Sequence, residues 1–135
     1  MQTINSSLFL RRVLQVDALS CVVMALGLLA FTTQLAELLH LPVELLREAA
    51  WVLLPFAGFV GYLSFKRQPL KAAVVVVIAL NAVWSVDSLL LLWADWIQPN
   101  IFGTCFIVAQ AAAVGVLAVL EYFGMKTSST LAPAN

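Results

Sequence analysis

Charge is scarce in this chain. Asp, Glu, Lys and Arg make up 10% of its 135 residues, where a soluble domain carries about 25%. The seven basic residues balance seven acidic ones, so the basic surface that holds nucleic acid is missing. Histidine occurs once, at His40, which excludes the paired imidazoles that hold a b-type haem inside a helix bundle. Two cysteines, Cys21 and Cys105, are too few for a disulfide framework or a cysteine-based metal site. Their depths in a spanning model differ by roughly 15 Å at about 1.5 Å per residue, too far for a disulfide with each other. The HExxH, CxxC, Walker and GxSxG patterns are absent as well. No cofactor, no metal and no enzymatic activity is therefore expected.

What the chain has in abundance is hydrocarbon. Apolar residues make up 63% of it and its mean hydropathy is +1.01, which places it among integral membrane proteins. A spanning helix needs about 20 apolar residues, and four runs supply them. The first, VLQVDALSCVVMALGLLAFTT, covers 13–33. Arg11 and Arg12 precede it, but no small-x-small cleavage site closes it and Asp17 interrupts its start, so a retained helix is expected rather than a signal peptide. QLAELLHLP follows, with Leu35, Leu38 and Leu39 at helical spacing beside Glu37 and His40, as in a short interfacial helix. The second spanning helix opens near Pro42 and crosses the membrane at 46–65, with Glu44, Arg47 and Glu48 near the headgroups and Pro55 expected to kink it. KRQPLK turns the chain into the third helix, 72–96, whose opening run AAVVVVIAL resembles a buried strand but is too long for one. QPN leads to the fourth, 101–124, and 125–135 is expected to be a polar, frayed tail.

The expected fold is an all-α, four-transmembrane-helix antiparallel bundle with short loops, forming a single integral membrane domain over 1–135. Basic residues set its orientation, because positively charged loops stay cytoplasmic. Arg11, Arg12, Lys66, Arg67, Lys71 and Lys126 share one side and only Arg47 lies on the other, so both termini are expected in the cytoplasm. Trp51, Trp93 and Trp96 then fall near the outer interface, where indole rings anchor. A weak internal repeat pairs Asp17-Ala18 with Asn81-Ala82 at similar depth, and Ala57-x-x-x-Gly61 with Ala111-x-x-x-Gly115. The small residues permit close helix contact.

Polar groups in hydrocarbon are costly and usually face the bundle interior. Asn81, Trp84, Ser85, Asp87 and Ser88 lie within about 160° of one face of the third helix at 100° per residue, and Gln110 of the fourth should reach the depth of Asp87. These six residues form the candidate polar pocket. Asp87 is expected to face Gln110 or Asn81 and to be neutral, paired or hydrated. A second stripe holds Asp17, Ser20 and Cys21, with Met24 beside it. Asp17 is expected to form an ion pair with Arg11, Arg12 or Lys71 by snorkelling, and Glu121 to be interfacial.

Together, LRRVLQVDAL, LLPFAGFV, NAVWSVDSLLLL and GTCFIVAQA…LEYFG resemble a family of small bacterial four-span membrane proteins of about this length, defined by architecture rather than by an activity. The likeness covers nearly the whole chain. It implies a multi-pass protein of the bacterial inner membrane. The chain is not similar to the small multidrug-resistance transporters, whose first helix carries a lone Glu where this one has Asp17 in a different setting. Two functional readings follow. The first is a structural or accessory protein, associated with membrane lipids and with a larger membrane complex or a weak homo-oligomer. The alternative is a minimal proton-coupled transporter or small-ligand-binding bundle using the polar pocket around Asp87 and Asn81.

Overall fold

The computed structural model describes residues 2–131. Four long apolar helices, each of a length and composition that can cross a membrane, account for most of it. They are α1 (Leu8–Ala30), α3 (Val43–Phe65), α4 (Lys71–Leu91) and α5 (Ile101–Lys126), with the short α2 (Thr32–Leu39) between the first two. Strands β1 (Thr3–Asn5) and β2 (Ser129–Leu131) flank the helices at the end that carries both termini. The all-helical bundle expected from the apolar runs is thus the observed one, and α2 fits the expected interfacial helix.

Local chemistry moves several boundaries. α1 begins five residues before its apolar run because Ser7 caps it, accepting a 3.1 Å hydrogen bond at Oγ from the Leu10 amide. α2 ends where His40 turns left-handed at φ 54°, and Asn100 serves both neighbouring helices. Its Nδ2 donates 2.7 Å to the Leu38 carbonyl, and its Oδ1 accepts from the Gly103 amide at 2.8 Å to cap α5. α4 stops at Leu91 rather than continuing to residue 96, since the next amides, Leu92, Trp93 and Ala94, bond three residues back. That tightening swings Ile97 into the core. Pro55 sits inside α3 without ending it.

The sequence predicts a frayed tail over 125–135, yet α5 runs on to Lys126 and β2 follows it, and 132–135 lie outside the described residues. β1 pairs antiparallel with β2, with Ile4 opposite Thr130. On its other side β1 meets the turn between α3 and α4: the Ile4 amide donates to the Pro69 carbonyl at 3.1 Å and the Ser6 amide to the Arg67 carbonyl at 3.0 Å. Ile4 is fully buried, so the N-terminal segment plugs this end of the bundle.

α1 packs extensively along α3, and α4 along α5, giving two helical hairpins. They are joined chiefly by α1 against α5, whereas α3 and α4 barely touch despite the tight turn that connects them. Small residues allow the close approaches. A Cβ on Gly124 would lie 3.0 Å from the Leu10 Cα, and one on Gly115 would lie 3.2 Å from Ser85 Oγ, so both glycines serve contacts within the chain. The apolar core divides in two. Leu10, Leu14, Val60, Val74 and Val77 fill the terminal end, while Ala25, Leu28, Leu46, Leu53 and Ile107 fill the opposite half.

Candidate functional site

Between these two apolar clusters lies a layer of buried polar side chains. Asp17 of α1, Asn81 of α4 and Glu121 of α5 are 1%, 3% and 0% exposed. The Asn81 amide nitrogen donates one hydrogen bond to Asp17 Oδ2 at 2.7 Å and another to Glu121 Oε1 at 2.6 Å. One amide thus ties three helices together. On the remaining side of Asp17, the Cys21 thiol donates to Oδ1 at 3.6 Å. Glu121 Oε2 is buried without a hydrogen-bond partner among the described residues.

This arrangement corrects the expected surroundings of both acids. Arg11 directs its Nε to the Ser64 carbonyl at 3.5 Å, Arg12 is exposed, and Asp17 has an amide and a thiol rather than a base as its partners. The reason is helical phase: the side of α1 that carries Asp17 also carries Leu10, Leu14 and Cys21, and it turns inward as one stripe. Glu121 is not interfacial, because Gly124 lets α5 close against α1 and draws the turn containing Glu121 into the interior. Lys126 instead lies over the ring of Tyr122, 5.0 Å from its centroid, as Lys66 does over Tyr62. Ser20, expected in the same stripe as Asp17 and Cys21, is exposed and bonds its hydroxyl back to the Asp17 carbonyl at 2.8 Å.

The six residues of the expected polar pocket are not brought to one point. Asn81 belongs to the buried layer. Trp84 Nε1 donates to Gln110 Oε1 at 2.9 Å, and Gln110 Nε2 donates to the Ile107 carbonyl at 3.0 Å. Ser85 donates to the Ala111 carbonyl at 2.7 Å, and Ser88 to the Trp84 carbonyl at 2.7 Å. Asp87 does not bond to Gln110 or Asn81; it is an exposed side chain. It lies six positions after Asn81, about 120° round the helix, and the Trp84 indole takes the Gln110 oxygen that Asp87 would have faced.

Trp84, Asp87, Ser88 and Gln110 nevertheless line one cleft, of about 730 Å³. It reaches all four spanning helices, and apart from Ser20 and Cys21 its remaining walls are apolar, with Leu45, Leu53, Phe106 and Leu117 among them. The sparse contact between α3 and α4 leaves the two hairpins splayed, which is what opens it. Cys21 also lines the cleft, so one thiol separates this space from the Asp17 carboxyl. A more open depression of about 620 Å³ lies among Glu37, His40 and Asp95 at the end remote from the termini. Among the described residues no group of three or more His, Cys, Asp or Glu side chains is arranged to hold a metal ion. Both cysteines are free, Cys21 buried and Cys105 exposed.

No protein-family model matches the chain, and comparison with curated proteins and with solved structures gives no match. The site is therefore read from its own geometry. Glu121 was the residue whose importance pattern reading missed. Five residues before the end of a helix, a Glu reads as a headgroup contact, and only the helix that closes over it says otherwise.

Proposed function

We propose that this multi-pass membrane protein binds a lipophilic cation taken up from the bilayer, without chemical conversion of it, in the cleft between its two hairpins. The observation that carries the proposal is the cleft itself, about 730 Å³ of largely apolar space with Asp87 on its wall. Apolar walls favour an apolar body, at about 25 cal/mol for each Å² removed from water. Asp87 lies four residues from the end of α4, within about 6 Å of it at 1.5 Å per residue. A carboxylate there meets the depth at which an amphipathic molecule carries its charge. Trp84 offers an aromatic face beside it, and such faces attract cations.

In this reading the protein resides in a bacterial inner membrane with both termini in the cytoplasm. The orientation is supported by the six-to-one bias of Lys and Arg toward one side. The second reading, a structural or accessory subunit of a larger membrane complex, is favoured by the Asn81 clasp that joins α1, α4 and α5.

Binding of tetraphenylphosphonium to the full-length protein in lipid nanodiscs separates the two. Saturable binding at one site per chain, weakened about tenfold or more in Asp87→Asn, is the expected result. Absence of saturable binding, or equal binding by the variant, overturns the cation-binding reading and leaves the structural one.

A further inference from the structure

We propose that the Asp17 and Glu121 carboxyls share one proton, which makes the layer they form with Asn81 a proton-binding site inside the bundle. This goes beyond the cleft reading and does not depend on what occupies the cleft. The inference starts from a deficit of donors. Two carboxyls at 1% and 0% exposure offer four oxygens, and the donors that reach them are the two N–H bonds of the Asn81 amide and the Cys21 thiol. The fourth oxygen, Glu121 Oε2, is left without a partner. Its carboxyl and that of Asp17 meet on one Asn81 nitrogen, at 2.6 and 2.7 Å.

Two bare carboxylates held against a single amide in a low-dielectric layer repel each other, and neither has a cation. Of the six bases at this end of the bundle, Arg11 donates to the Ser64 carbonyl, Lys66 and Lys126 lie over Tyr62 and Tyr122, Arg12 and Arg67 are exposed and Lys71 is half-buried at the start of α4. None of them is a hydrogen-bond partner of either carboxyl. α1 supplies Asp17 and Cys21, α4 supplies Asn81 and α5 supplies Glu121, while the ionisable side chains of α3 (Glu44, Arg47, Glu48 and Tyr62) are all exposed. One proton resolves both difficulties. Placed on either carboxyl, it halves the charge of the pair and adds the O–H donor that the layer lacks. Its way out is short, since the Cys21 thiol touches Asp17 on one side and lines the cleft on the other.

The test is infrared spectroscopy of the full-length protein in lipid vesicles at neutral pH, reading the carbonyl stretch of protonated carboxylic acids and its shift in D₂O. One protonated carboxyl per chain is expected in the wild type and in Asp87→Asn. It should be lost in Glu121→Gln and in Asp17→Asn, because the added amide supplies the missing donor and leaves the remaining carboxyl ionised. Persistence of the band in both of these variants overturns the proposal. So does a wild-type spectrum with no such band, a measurement that needs no variant to fold. A wild-type band that disappears when potassium salts are replaced by sodium salts would mark a metal-cation site and overturn it too.

Discussion

Asn81 and Asp87 sit on the same helix with opposite consequences. Asn81 spends both amide hydrogens on buried carboxyls, whereas Asp87 is exposed on the cleft wall. Replacing Asn81 with Leu removes the donors and leaves two buried acids facing each other, so stability should fall by about 1–3 kcal/mol. Asp87→Asn should change it by less than about 0.5 kcal/mol, as expected for a side chain outside the packed interior. Unfolding of both variants in mixed detergent checks this. Comparable losses would mean that Asp87 is held in a polar contact and that the assignment of the two residues is wrong.

At the scale of elements, the glycines divide by what a methyl group would meet. Gly103, in the first turn of α5, faces the Leu39 carbonyl oxygen, and Pro99 Cβ would lie 2.9 Å from an added Cβ. A backbone carbonyl at a helix end cannot yield as a side chain can. Gly103→Ala should therefore cost about 1–3 kcal/mol, typical of overpacking, and loosen the junction of α2 with α5. Gly58, on the lipid-facing side of α3, has nothing within 4 Å. Gly58→Ala should be neutral or stabilise by about 0.5–1 kcal/mol through helix propensity alone. Thermal denaturation of the pair in one detergent tests the contrast, and equal behaviour would show that α2 does not seat on α5 as described.

For the whole molecule, the end that holds both termini also holds β1, β2 and the turn from α3 to α4, together with six of the seven basic residues. Non-helical backbone is acceptable there because water and the small sheet satisfy it, which they could not do in hydrocarbon. In the proposed orientation, which rests on this basic bias, that end lies in the cytoplasm. Against a Cys105→Ser background, a membrane-impermeant thiol reagent added to intact cells should modify Gln98→Cys and spare Gln68→Cys. The reverse pattern overturns the orientation.

Composition and hydrophobic run length were enough to determine the number of spanning helices, because each must satisfy its own backbone in lipid whatever its neighbours do. They also determined that Asp17 and Asn81 lie at similar depth, since rise per residue sets depth along a straight helix. The direct hydrogen bond between the two confirms it. Periodicity could not say which part of each helix faces which neighbour. All four helices are apolar nearly all round, so lipid and core make the same demand on a side chain and the polar stripes alone mark the inside. That choice belonged to packing. Gly124 against Leu10 brought α5 onto α1 and buried Glu121, Trp84 took Gln110 from Asp87, and the N-terminal segment found its partners in residues more than sixty positions away. Contacts of that range depend on how the hairpins are set against each other, and no local pattern in the chain encodes them.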